Sequence, residues 1–246
     1  MGELTGKRAL VTGAARGIGA GIARALADKG ADVAITYERS ADRAAELVRE
    51  IEAKGRRAVA IQADSADATA VKRSVAQAVE ALGGLDILVN NAGIARIGPV
   101  VDMSLEDIDA QLNVNARAVV LASQAAIPHL KSGGRIVTVG SNIAERVPFG
   151  GLTVYAMSKS ALLSFTRGLA RELGPQGITV NLVQPGPIDT DMNPVDGELA
   201  KTVSGFTALG RYGKTTDIGA AVAYLASPAA NFVTGSALTV DGGFNA

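Results

Sequence analysis

A single doubly wound parallel sheet of seven strands, with helices on both faces, is the fold that this 246-residue sequence predicts. Three observations predict it. Short apolar runs alternate with longer amphipathic segments from one end to the other, the pattern of strand-helix units rather than of hairpins. Apolar residues make up 48% of the chain and aromatic residues only 4%, so Ala, Val, Ile and Leu must fill the core, as they do where strands are covered on both faces. No proline-rich or low-complexity linker and no fixed-period repeat divides the chain, so residues 1–246 are expected to form one domain.

In order, the strands are RALVT (8–12), DVAIT (32–36), RAVAIQ (57–62), LDILVN (85–90), GRIVTVG (134–140), ITVNLVQ (178–184) and ALTV (237–240). Helical spacing fills residues 17–29, 40–54, 67–82, 104–130 and 152–174, and Gly30, Gly55, Gly83 and Gly174 stand where helix-ending glycines would. Crossovers of that length make the strands parallel, and right-handed crossovers on both faces give the doubly wound, Rossmann-type arrangement. Residues 187–212 break the pattern: they carry Pro, Gly and Asp without strong periodicity and follow the carboxyl end of a strand, where open α/β sheets bind ligands. The expectation there is a mobile substrate lid.

Lys plus Arg number 24 and Asp plus Glu 24, so no net field draws the chain to nucleic acid or to an acidic membrane surface. Small-molecule partners are favoured. There is no cysteine, which excludes disulfides, thiolate nucleophiles and cysteine-based metal sites. The one histidine, His129, beside Pro128 near a predicted helix end, is poorly placed for a zinc site or a Ser-His-Asp triad and reads as a surface residue. No apolar run approaches the roughly 20 residues of a membrane span, and the expectation is a soluble, cytoplasmic protein.

The stretch VTGAARGIG joins the first strand to the first helix through Gly13, Gly17 and Gly19. Glycines there allow a tight turn and let a pyrophosphate approach the amides of a helix N-terminus. The spacing differs from the commonest dinucleotide fingerprint, and a glycine-rich turn alone is weak evidence. Asp64 at the tip of the third strand and NNAG (90–93) at the tip of the fourth add to it. Each alone is an ordinary turn; together they line one edge of one sheet.

Tyr155 and Lys159 of YAMSK share a helix face about 6 Å apart along the axis. The pair reads either as a solvated surface pair or as a phenol whose pKa, about 10 unperturbed, is lowered by the ammonium so that it serves as general acid or base. Ser141, after the fifth strand, reads either as a turn residue or as a donor to a substrate oxygen on which charge develops.

TGAARGIG, NNAG, NVN, GS, YAMSK and PGPIDT, in this order and at these spacings, resemble the short-chain dehydrogenase/reductase family over essentially the whole chain. The resemblance implies a single dinucleotide-binding and catalytic domain. It identifies Ser141, Tyr155 and Lys159 with the family's catalytic serine, tyrosine and lysine, and Asn115, rather than the adjacent candidate Asn113, with the asparagine that holds a water in its proton relay. Lys159 is then expected both to lower the pKa of Tyr155 and to hydrogen-bond the nicotinamide ribose. The implied cofactor-binding residues are Gly13, Arg16, Gly17, Ile18, Gly19, Tyr37, Glu38, Arg39, Asp64, Asn91, Ala92, Gly93, Tyr155, Lys159, Pro185, Gly186, Ile188 and Thr190, of which Asn91 shapes the adenine side and Ile188 and Thr190 lie near the carboxamide. No metal is required.

The resemblance further implies hydride transfer between nicotinamide and a carbonyl or secondary alcohol, and a homotetramer. NADP(H) is favoured over NAD(H), because Tyr37 stands where an NAD selector would be acidic and Arg16 and Arg39 are in reach of a 2′-phosphate. Glu38 complicates this: turned inward it holds ribose hydroxyls, turned outward it only weakens the local field. Within the family the nearest look is to bacterial 3-oxoacyl-carrier-protein reductases and their relatives acting on free ketones. Ser132 and Gln176 occupy the positions where carrier-protein partners tend to have arginine, with Lys131 nearby, and favour a free ketone. Two other readings stand behind: a nucleotide-sensing protein without turnover, and a sugar-nucleotide epimerase or dehydratase, which the short C-terminal region and the glycine spacing oppose.

Overall fold

A computed structural model describes residues 2–246. The strands are β1 (Arg8–Val11), β2 (Asp32–Tyr37), β3 (Ala58–Gln62), β4 (Ile87–Asn90), β5 (Arg135–Val139), β6 (Thr179–Pro185) and β7 (Ala237–Val240). They form one parallel sheet in the order β3-β2-β1-β4-β5-β6-β7. The chain steps outward from β1 to β3 and then returns to lay β4 beside β1. That reversal leaves a crevice at the carboxyl ends of β1 and β4, the ligand position of open α/β sheets.

The helices are α1 (Gly17–Asp28), α2 (Ala41–Glu52), α3 (Ala68–Leu82), α4 (Leu105–Leu112), α5 (Ala118–Ala126), α6 (Thr153–Leu173), α7 (Ala200–Gly205) and α8 (Thr215–Ala226). Side-chain alternation along the strands splits the core in two. Val11, Ile35, Val89 and Val137 face α1, α2 and α8 on one side. Leu10, Ala34, Leu88 and Ile136 face α3, α5 and α6 on the other.

Three details depart from the sequence reading. The expected helix over 104–130 is α4 and α5 joined by a π-helical turn, Asn113–Arg117, and closed by a 3-10 turn, Ile127–His129. The wide turn carries Asn115, which is fully buried, and single π turns recur at functional sites. Gly83 ends α3 in the left-handed region at φ 76°, but Gly174 is right-handed at φ −51° and leads into a 3-10 turn, which Gly177 ends at φ 71°. Finally, the sequence reading assigned no helix to 215–226. Its AAVAYLA core lacks a strong polar stripe because α8 is packed against α1 as well as the sheet. The two helices meet at glycines: a Cβ on Gly219 would lie 2.8 Å from Gly21 O, which is inside van der Waals contact. His129 is exposed. Among the described residues no helix is long and apolar enough to cross a membrane.

Candidate active site

A cleft of about 670 Å³ opens at the carboxyl edge of the sheet, lined by the turns after β1 to β6. Its nucleotide-side wall is the turn after β1. Gly13 and Gly17 have φ of +62° and +57°, a region L side chains rarely adopt. A Cβ on Gly19 would lie 2.5 Å from Asn91 Nδ2. Hydrogen bonds tie this turn to its neighbours. Thr12 Oγ1 accepts from Asn91 N (3.0 Å) and Ala92 N (3.1 Å), Asn91 Nδ2 donates to Thr12 O (2.8 Å) and Gly13 O (3.1 Å), and Thr36 Oγ1 accepts from Gly13 N (2.9 Å). The side chain of Asn91 is thus spent on shaping the turn.

Every residue expected to bind a cofactor lines this cleft: Gly13, Arg16, Gly17, Ile18, Gly19, Tyr37, Glu38, Arg39, Asp64, Asn91, Ala92, Gly93, Tyr155, Lys159, Pro185, Gly186, Ile188 and Thr190. The cations are deployed differently from the expectation. Arg39 is paired with Glu38 at 2.8 Å and its side chain is 89% exposed, so the two largely satisfy each other at the rim. Arg16 instead pairs at 3.2 Å with Asp191 of the 187–212 segment, and Arg43 pairs with the same carboxylate. Hydrogen bonds from Arg43 and Arg16 hold the Asp191 carboxyl below its usual range. Arg43 and Ser40 were missed by the sequence reading. Ser40 is the N-cap of α2, makes no capping bond with its side chain and lines the cleft; Ser before an acidic first turn was the available signal.

At the other end, Ser141 follows β5 and starts a 3-10 turn, while Tyr155 and Lys159 lie on α6. Lys159 is buried, and its Nζ donates to Val139 O at 3.2 Å. Burial with no carboxylate partner pushes its pKa down to about 8. Burial also pushes the Tyr155 phenol up, with a hydrogen bond from the Ser141 side chain opposing it. Burial sets the direction of the Tyr155 shift, and Lys159 Nζ turns toward Val139 O. At neutral pH the phenol holds its proton.

Asn115 lies between the two ends. Its Oδ1 accepts from Ile94 N (2.9 Å), and its Nδ2 donates to Ile94 O (2.9 Å) and to Ser158 Oγ (3.0 Å). A Cβ on Gly93 would lie 3.1 Å from Lys159 Nζ and 3.4 Å from Asn115 Oδ1, so Gly93 lets these groups gather below the cleft. Neither Asn115 nor Asn113 is part of the cleft lining; Asn115 is buried behind it and reaches Ile94, which lines it.

The family model described as enoyl-(acyl carrier protein) reductase matches residues 13–245. A crystal structure of a short-chain dehydrogenase from Burkholderia cenocepacia, in complex with NADP, superimposes with a TM-score of 0.98 at 60% identity, covering 99% of this chain and 100% of that one. The chain belongs to the short-chain dehydrogenase/reductase family. Among curated members of that family-wide likeness, a cyclic-di-GMP-binding biofilm dispersal mediator protein of Escherichia coli K12 is 44% identical over 100% of both chains. Versicolorin reductase of Emericella nidulans is 40% identical over 98% of this chain and 96% of its own. As a short-chain dehydrogenase/reductase, this chain is an oxidoreductase.

Ser132 and Gln176 are exposed at the opposite edge of the sheet from the cleft, where Gly133 N donates to Gly177 O at 2.9 Å. Both precede their strands, and the cleft lies beyond the strands' carboxyl ends.

Proposed function

We propose that the protein is an NADP(H)-dependent reductase of a free ketone or related small carbonyl compound, working through Ser141, Tyr155, Lys159 and Asn115. The observation that carries this reading is a protonated, half-buried phenol beside a serine hydroxyl and a buried lysine at one end of a dinucleotide-sized cleft. The cradle fits the cofactor: positive-φ glycines and the free N-terminus of α1 suit a pyrophosphate, and the Burkholderia relative holds NADP. When bound, that cofactor supplies the hydride. Tyr155 passes its proton to the substrate oxygen as the carbonyl becomes an alcohol, Ser141 donates a hydrogen bond to the same oxygen, and the Lys159 ammonium stabilises the phenolate left behind. Asn115 fixes Ile94 and Ser158 around them.

The test is consumption of reduced cofactor against 3-oxoacyl thioesters, cyclic ketones, aryl ketones and sugars. Preference for a 3-oxoacyl-carrier-protein would overturn the free-ketone part. The name of the Escherichia coli relative makes a nucleotide-sensing role worth the same assay. Bound reduced cofactor that no carbonyl oxidises in a single turnover would favour it.

The lid segment and the cations give a second expected result. Arg39 is matched one to one by Glu38, whereas Arg16 and Arg43 share the single carboxylate of Asp191 and keep a net positive charge, so the 2′-phosphate is assigned mainly to Arg16, with Ser40 and Arg43 beside it. Arg16→Ala is expected to lower the NADP(H):NAD(H) ratio of kcat/KM about tenfold, as loss of one charge-assisted contact would, and Arg39→Ala to lower it less. If Arg16→Ala leaves the ratio unchanged the phosphate assignment fails, and if Glu38→Ala shifts it toward NADP(H) while Arg39→Ala leaves it unchanged, Glu38 is an NAD selector.

A homotetramer is also proposed. It rests on the family likeness and on β7, an open sheet edge whose unpaired side a second copy would cover. Light scattering is expected to report a multiple of 25.0 kDa. A 25.0 kDa particle at micromolar concentration would end this idea.

A further inference from the structure

We propose that the segment after β7 is a clamp that positions Ser141 and couples it to the 187–212 lid, with Asn245 and Phe244 as positioning residues; this rests on the role proposed above for Ser141.

Ser141 lies just beyond the last ladder bond of β5, where Gly140 N donates to Val183 O at 2.8 Å. Past that point the sheet no longer fixes the backbone. Gln184 of β6, fully buried, reaches across and donates from Nε2 to Ser141 O at 3.1 Å. The following turn, Asn142–Ala144, is closed by Ala144 N to Ser141 O at 3.1 Å, by Glu145 N and Arg146 N to Asn142 O at 3.1 and 3.3 Å, and by a long capping bond from Ile143 N to Ser141 Oγ at 3.3 Å. Its remaining anchors are side chains from elsewhere. Ser160 of α6 donates to Ala144 O at 2.8 Å, and Asn245 Nδ2 donates to Asn142 O at 2.8 Å. Arg146 returns the contact, donating from Nη1 to Phe244 O at 2.8 Å.

The segment that supplies Asn245 is itself stiff. Asp241 accepts from Gly243 N at 2.9 Å and from Asn245 N at 3.1 Å, so one carboxylate folds the turn. The same segment holds the lid. Phe244 is 3% exposed and meets Phe206, just after α7, edge to face with ring centroids 5.5 Å apart, a favoured aromatic geometry. Leu209 N donates to Gly242 O at 3.1 Å. A displacement of the lid at Phe206 therefore acts on Phe244, through it on Arg146 and Asn245, and through these on the turn that aims Ser141. Misplacement of a reacting group by about an ångström costs up to roughly 10²-fold in rate, so a clamp remote from the substrate still governs turnover.

The experiment is a double-mutant cycle of Asn245→Ala with Ser141→Ala, read as kcat, KM and cofactor Kd, beside amide hydrogen exchange on the cofactor-free protein. Asn245→Asp, which keeps the shape and removes the donor, serves if Asn245→Ala folds poorly. Expected are a drop in kcat of about tenfold or more from the Asn245 change in the wild type, under about twofold in the Ser141→Ala background, and cofactor Kd unchanged. The amides of Ile143, Ala144 and Glu145 are expected to exchange faster in Asn245→Ala and in Phe206→Ala. An equal kcat loss in both backgrounds makes Asn245 merely structural and overturns the proposal. Unchanged kcat in Asn245→Ala or Asn245→Asp overturns it as well. If the wild type reduces no carbonyl, the functional reading has failed rather than the clamp, and the clamp stands or falls on whether Phe206→Ala speeds exchange at Ile143 to Glu145.

Discussion

Tyr155→Phe is expected to cut turnover by about 10²- to 10⁴-fold, the range of general acid catalysis, while cofactor affinity stays within about twofold. The substitution deletes one oxygen and keeps the ring that fills the space beside Ser141. Burial holds the phenol's pKa above its ordinary value, so the wild-type group carries its proton at neutral pH and is ready to give it to a developing alkoxide. Phe has no such proton, and Ser141 is left to stabilise the oxygen alone. Turnover above about a tenth of wild type with intact cofactor binding would remove Tyr155 from the acid's role. Ketone reduction is expected to fall as pH rises, first as the Lys159 ammonium that stabilises the phenolate is lost at about 8 and again as the raised phenol loses its own proton on the alkaline side.

What the sequence revealed and what it hid have a common physical basis. The strands and the cleft edge were legible because a parallel sheet covered on both faces demands continuous apolar runs, and because the turns at β1 and β4 need small residues such as Gly13, Gly19 and Gly93 to bring backbones together. Side-chain partners were not legible. Arg39 and Arg43 lie four residues apart in the chain, yet one folds onto its neighbour Glu38 and the other reaches across the cleft to Asp191. Beyond the end of a strand no periodicity fixes where a side chain points. The π turn at Asn115 was hidden for a related reason: adding one residue to a helical turn leaves the hydrophobic spacing on either side nearly intact. That Ser132 and Gln176 lie away from the cleft was not legible either, because sequence position near a motif does not say which end of a strand a turn occupies.

Lys159→Met is expected to abolish turnover and, at neutral pH, to make the chain more stable. Burial takes the Lys159 pKa from 10.5 to about 8, so in the pH range between these values the unfolded chain binds a proton that the folded chain does not. Stability therefore rises with pH across that window, and below about 8 the wild type carries the full cost of burying the ammonium. At about 1.4 kcal/mol per pH unit that cost is on the order of 3 kcal/mol. Met fills the same space without charge but leaves Val139 O without its donor, a loss of about 1 kcal/mol or more, so a net gain of about 2 kcal/mol remains. For a domain of this size that raises Tm by roughly 4 to 8 °C. The gain should shrink as pH is raised from about 8 toward 10.5 and vanish above it, where the wild-type lysine is neutral in both states. Calorimetry at pH 7 and pH 10, with cofactor titration alongside, checks it. A Met variant that melts below the wild type at pH 7 would mean that Lys159 is held by favourable contacts rather than retained against its desolvation. Weaker cofactor binding and lost turnover in a more stable protein would place the lysine where function, and not folding, requires a buried charge.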